Sequence, residues 1–197
     1  MRVVVVNHLT LDGVMQGPGR PDEDTRDGFA QGGWGAAAED PAVIEAIGRY
    51  MGQPGGGLLL GRRSYEDMLG AWNERGGPFK EALNAADKFV ASRDSATTLK
   101  WPNSMLLHGD VAAAIADLKQ RPGGDLVIMG SGELIRSLLP EGLIDEFLLL
   151  IHPLLLGEGR RLFEGIERAQ LRLVDSNGTE SGVLVATYRP GGPRPSD

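Results

Sequence analysis

Apolar positions along this chain fall into short β-branched runs that alternate with segments spaced at the helical period. Val occupies four successive positions from Val3 to Val6, which predicts a strand over Arg2 to Leu9 buried on both faces. Thr10 to Gly35 is dense in Gly, Pro and Asp, and a loop of that length in a compact domain is functional or mobile. Asp40-Pro41 then sets an N-cap and a first-turn proline ahead of Val43, Ile44, Ile47 and Met51 at helical spacing. Leu58 to Leu60 read as a short buried strand running through Gly61-Arg62-Arg63-Ser64 into a helix. A helix over Pro78 to Ala86 follows, with strands at Lys88 to Ala91 and Met105 to His108 and a helix over Val111 to Lys119 capped by Asp110. Leu126 to Met129 is again β-rich and enters a helix through Gly130-Ser131-Gly132-Glu133.

After Gly142 the helical pattern stops, and Ile144 to His152, Leu171 to Val174 and Val183 to Tyr188 read as strands joined without convincing helices. That favours antiparallel pairing at the C-terminal end and parallel strands before it. The sum is an α/β fold with a mixed sheet of about eight strands flanked by helices. Residues 1–190 form one domain, and 191–197 read as a disordered Pro/Gly tail.

Composition narrows the chemistry. The 197 residues contain no cysteine, which removes thiolate catalysis, iron–sulfur clusters and zinc–cysteine sites. Lys+Arg total 20 against Asp+Glu 27, a net charge of −7 that repels phosphate backbones and anionic lipid, so neither nucleic acid nor membrane is an expected partner. No apolar run approaches the roughly 18 residues of a membrane span, and no targeting segment precedes Val3, so a cytoplasmic location is expected.

Against that acidic background two arginine doublets stand out, Arg62-Arg63 and Arg160-Arg161. Cations at a helix N-terminus oppose its dipole unless an anion joins them, so Gly61 to Ser64 suit a phosphate, the alternative being a solvated pair. Gly130 to Glu133 offer the same strand-to-helix turn, serving either an anion or tight geometry alone. It is not a dinucleotide fingerprint, because Ile135 stands where the third glycine belongs, and no P-loop occurs. Ser92-Arg93 would share the C-terminal sheet edge where open α/β sheets bind ligands. Asp12, in Leu11-Asp12-Gly13, follows the first strand at that edge, as a turn residue or a reacting carboxylate. His8 and His108 would end parallel strands and His152 an antiparallel one, at the opposite edge. No metal site is therefore expected, and all three read as structural. Arg160-Arg161 would meet an anionic substrate or simply be solvated, the second being favoured, and Trp34, Trp72 and Trp101 read as core residues.

The set Leu11-Asp12-Gly13, Gly61 to Glu66, Ser92-Arg93, Gly130 to Leu134 and Pro153 to Gly159, in this order, resembles the dihydrofolate-reductase-like family. That family includes the reductase domain of the bifunctional riboflavin-biosynthesis deaminase-reductase, and the resemblance runs from Val3 to Tyr188. It implies NADPH as hydride donor, a homodimer and a small heterocyclic substrate, pteridine-like or ribosylaminopyrimidine-like, carrying a C=N or C=O. Gly61, Arg62, Arg63, Ser64, Ser92 and Arg93 would then meet the adenosine 2′-phosphate and pyrophosphate, and Gly130, Ser131, Gly132, Glu133 and Leu134 the pyrophosphate and nicotinamide side. Two arginine sites favour the 2′-phosphorylated cofactor over NADH. Asp12 matches the carboxylate near the reacting centre of the riboflavin-type enzymes, orienting the substrate or assisting protonation, with Gly13 to Gly33 closing over it. The folate-type carboxylate has only Glu39 as a positional counterpart, without the usual Leu-Pro. The competing reading is a non-catalytic module binding NADPH or another phosphorylated ligand.

Overall fold

The structure is a computed structural model that describes residues 1–35 and 40–191. Eight strands form one sheet: β1 (Val3–Thr10), β2 (Gly57–Gly61), β3 (Asp87–Ala91), β4 (Ser104–Leu107), β5 (Leu126–Met129), β6 (Glu146–His152), β7 (Leu171–Gly178) and β8 (Leu184–Pro190). Their spatial order is β4-β3-β2-β5-β1-β6-β8-β7. Strands β1 to β6 are parallel to one another, and β8 pairs antiparallel with both β6 and β7.

The run of valines in β1 explains its place near the centre. Val3, Val4 and Val5 are fully buried and alternate between two cores, one on each face of the sheet. Each buried valine contributes on the order of 1.5–3 kcal/mol. Helices α1 (Pro41–Gly48), α2 (Arg62–Arg75) and α3 (Pro78–Ala85) cover one face through Val43, Ala46, Tyr65, Leu69 and Leu83. Helices α4 (Val111–Lys119) and α5 (Gly132–Leu138) cover the other through Ile115, Leu118, Ile135 and Leu138. The capping signals act as read: Asp40 accepts from the Ala42 N–H, and Asp110 from the Ala113 N–H. The buried Lys88 closes α3 by donating to the carbonyls of Leu83, Asn84 and Ala86.

One strand direction needs correcting. β6 runs parallel to β1, with Val4 opposite Glu146 and Thr10 opposite His152. The reason is α5, which carries the chain from β5 back past β1 as a crossover, so the reversal of direction comes only after β6. His152 therefore lies at the same sheet edge as His8, not the opposite one. β7 also runs longer than its apolar stretch, because as an outer strand it is exposed along nearly its whole length and needs no hydrophobic alternation. Residues 192–197, read as a disordered tail, lie outside the described residues, as does Glu39.

Register places a notch in the sheet. β5 ends at Met129, opposite Val6, whereas β1 continues to Thr10 and keeps only β6 as a neighbour. β2 pairs with β5 only at Gly57 and Leu58, and continues past it to Gly61. The C-terminal edge therefore opens around the end of β5, where the strand order reverses, the usual place for a ligand in an open α/β sheet.

Candidate functional site

The two glycine turns meet across this opening. The Gly61 N–H donates to Ser131 Oγ at 2.9 Å, and the Gly130 N–H donates to Asn7 Oδ1 of β1 at 2.9 Å. Gly130 (φ 64) and Ser131 (φ 60) are left-handed, which brings the start of α5 back onto β2. A Cβ on Gly130 would stand 3.4 Å from Ser64 Oγ, so the turns pack as one unit. Residues 70 positions apart in sequence thus form a single ledge.

Charge gathers on that ledge. Gly61 has no side chain to cap α2, leaving the first-turn N–H groups facing the opening. Arg62 is exposed and paired with Glu66 one turn on, and Arg63 is exposed with no ion pair among the described residues. Arg93 is 95% exposed and reaches Glu133 only at 3.8 Å, and Arg160 approaches the same carboxylate at 3.8 Å. The donor set fits an anionic group such as a terminal phosphate. Two expected residues face elsewhere. Ser92 Oγ is occupied by Thr97 Oγ1 and the Asp94 N–H within its own turn, and the Leu134 side chain belongs to the core. Gly132 leaves room for Met15, whose sulfur would stand 2.5 Å from a Cβ there.

Asp12 sits on the β6 side of the opening. Thr10 Oγ1 donates to its carboxylate at 2.6 Å, Gly157 N–H at 2.9 Å and Leu156 N–H at 3.3 Å, with Arg161 Nη2 at 3.4 Å. The Thr10 hydroxyl foremost, then the two backbone amides against a desolvation cost, hold its pKa down to about 2. Every one of these partners is a donor. Asp12 is ionised at neutral pH, and its carboxylate gathers the donors of the loop after β6.

The same contacts overturn the reading of Arg160-Arg161 as solvated. Arg161 Nε donates to the Asp12 carbonyl at 3.0 Å, and Arg160 is forked onto Asp27 at 2.8 and 3.0 Å. Val14 bridges Arg161 antiparallel, and Met15 N–H donates to the Arg160 carbonyl. The loop after β1 is therefore sewn to the loop after β6, and Arg20 ties it to Asp67 of α2 at 2.7 Å. Buried Gln16 organises its interior, binding the carbonyls of Asp24 and Arg26, the Arg160 N–H and, through its own carbonyl, Trp34 Nε1. The loop spans the opening from the β6 side to α2 as a roof.

Under that roof lies a feature the histidine reading missed. His8 Nδ1 and His152 Nε2 are 2.9 Å apart, and Trp34 sets its ring edge-on to His152 with centroids at 5.3 Å. Burial lowers both imidazole pKa values, His8 to about 4 with His152 adding to the effect. Asn7, Thr10 and Gln16 were not among the expected site residues. Only the parallel pairing of β6 with β1 could have revealed the histidine pair. No cluster of three metal-ligating side chains occurs among the described residues. No helix among them is long and apolar enough to cross a membrane.

Comparison with known proteins agrees with this architecture. The RibD C-terminal domain family matches residues 2–185. The Bacillus subtilis (strain 168) protein YyaP is 33% identical over 139 residues, spanning 66% of this chain and 72% of YyaP. A Shewanella sp. PV-4 structure described as a riboflavin biosynthesis protein has a TM-score of 0.69 at 21% identity, covering 98% of this chain and 100% of that one. Dihydrofolate reductase from Enterococcus faecalis, complexed with NADP(H), has a TM-score of 0.61 at 16% identity and 97% coverage of both chains. At these identities the two structures speak for the fold, an eight-stranded dihydrofolate-reductase-like sheet. With the family matched over nearly its whole length, the chain belongs to the RibD C-terminal domain family and has a reductase fold.

Proposed function

We propose that this protein is an NADPH-dependent reductase acting on a small heterocycle that carries a C=N or C=O group. The observation that carries the reading is the ledge made by the hydrogen bond between Gly61 and Ser131, ringed by Arg62, Arg63 and Arg93 at the opened edge of the sheet. Arg62 and Arg63 at the start of α2 would hold the adenosine 2′-phosphate, with Arg93 beside them. The backbone of Gly130 to Glu133 would carry the pyrophosphate toward β1. The cofactor, when bound, supplies a hydride. Asp12 acts by position: as an ionised acceptor it fixes the loop after β6 beside the opening, and with it the roof that excludes water.

Parallel calorimetric titrations with NADPH and NADH test the cofactor assignment. The expected result is clear preference for NADPH, with Arg62→Ala/Arg63→Ala weakening NADPH by ten- to a hundredfold and NADH little. Equal losses for both would remove the 2′-phosphate assignment. The reductase reading is tested by NADPH oxidation with a dihydropterin and a ribosylaminopyrimidinone as acceptors. Binding of NADPH with no turnover of either would instead favour a nucleotide-binding module.

A further inference from the structure

The histidine pair has the geometry of an oriented acid. His8 lies in the part of β1 that has lost its β5 neighbour, next to Asn7, which holds the Gly130 turn. Strand alternation puts His8 on the face of Val4 and Val6, the side of α1 and α2, and it puts His152 there beside Leu148 and Leu150. His152 is buried at 1% exposure, whereas His8 keeps part of its surface open. One nitrogen of each ring is committed to the other ring. Among the described residues neither His8 Nε2 nor His152 Nδ1 takes a hydrogen bond. The edge of Trp34 packs against His152, so the inner ring is held on a second side, while His8 is the more exposed ring of the two.

We infer that His8, held by His152, is the acid that gives the second proton of the reduction. This rests on the reductase reading above. Reduction of C=N or C=O places a hydride, two electrons and a proton, on carbon, drawn from the reduced nicotinamide. The heteroatom then needs one further proton. His8 Nε2 takes that proton from solvent, forming an imidazolium whose Nδ1–H donates to His152 Nε2, and passes it to the heteroatom. His8 is left neutral with the proton still on Nδ1, and His152 stays neutral throughout, so no charge accumulates in the buried ring. The Asp12 carboxylate is already engaged by Thr10, Leu156, Gly157 and Arg161. Burial holds the His8 pKa down to about 4, so little imidazolium is present at neutral pH and the rate follows the protonated fraction as pH falls.

Among the described residues His152 from β6 is the titratable contact of His8, and Trp34 is the contact of His152 from the roof. On that face Tyr50, just past α1, is bound to Glu146, and Tyr65 of α2 to Ser104.

Two measurements test the inference. The chain has three histidines, so long-range proton–nitrogen NMR resolves each ring, with His108 as reference. The expected pattern is His8 protonated at Nδ1 and His152 bare at Nε2, with scalar coupling across the hydrogen bond. An uncoupled pair, or His8 protonated at Nε2 alone at neutral pH, overturns the proposal regardless of any assay. The second is NADPH oxidation with the dihydropterin and the ribosylaminopyrimidinone. His8→Asn, whose amide can keep the bond to His152, should lower kcat at least a hundredfold with NADPH affinity within twofold. It should also flatten a wild-type rate that climbs as pH falls from 8 to 5. Free imidazole should restore turnover to His8→Ala, which no structural role predicts, and His152→Gln should lower kcat while leaving the acid limb in place. Turnover undiminished in His8→Asn refutes His8 as the acid and leaves the reductase reading standing. No turnover by wild type with either acceptor removes both.

Discussion

Asp12 and His8 have their proton affinities moved in the same direction by different causes, and both make stability depend on pH with the same sign. Asp12 is lowered from 3.8 to about 2 by hydrogen bonds to its charged form, and His8 from 6.5 to about 4 by burial of its neutral form. In each case the unfolded chain binds the proton more readily, so stability rises with pH through the interval between the two values. Acidification should therefore lower the urea midpoint in two windows, from about pH 6.5 toward 4 for His8 and below about pH 4 for Asp12. His8→Asn should shrink the first window, which His152 shares, and Asp12→Asn the second, which Asp40 shares. Identical pH profiles in the variants and the wild type would contradict these assignments. Asn7 belongs to the same scale. Its replacement by Leu leaves the Gly130 N–H without its acceptor at a part-buried position, at a cost of about 1–3 kcal/mol, measurable by chemical denaturation.

At the level of elements, the ledge depends on one hydroxyl joining two turns. Ser131→Ala removes the acceptor for the Gly61 N–H, and loss of a hydrogen bond worth about 1 kcal/mol should weaken NADPH roughly five- to tenfold through loosened geometry. Thermal denaturation should shift by no more than that one bond is worth, because the core strands do not depend on it. Unchanged nucleotide affinity in this variant would mean that the turns are held by packing alone. In the core the balance is reversed. Leu59 of β2 is fully buried, and Leu59→Ala should cost about 2–5 kcal/mol of stability while leaving the arginines around the ledge intact. The elements themselves were legible because their signals are local: four consecutive valines, the Asp40-Pro41 and Asp110 caps, and the glycine turns before α2 and α5. β7 was only half legible, since an outer strand exposed along its length carries no apolar alternation to read.

For the whole molecule, the loop after β1 joins two distant parts, the loop after β6 through Asp12, Val14 and Arg161, and helix α2 through Arg20 and Asp67. Cutting either attachment should free the roof. Arg161→Ala, which also takes a donor from Asp12, should speed proteolysis within residues 11–35 by several-fold, with little change in the cleavage of core segments. The amino-acid sequence by itself determined which segments become strands and helices, where glycine permits tight turns and where cationic side chains gather, because each of these depends on neighbours within a few positions. It also carried, in the order of its motifs, the resemblance that the family match bears out. The tertiary structure alone decided the direction of β6, the meeting of His8 with His152, the joining of Gly61 to Ser131 and the contacts of Arg160 and Arg161. Those contacts link residues about 70 to 150 positions apart. No local pattern encodes such pairings. They follow from the crossover through α5 and from the register of β1 with its neighbours, which set whether two side chains share an edge and a face of the sheet.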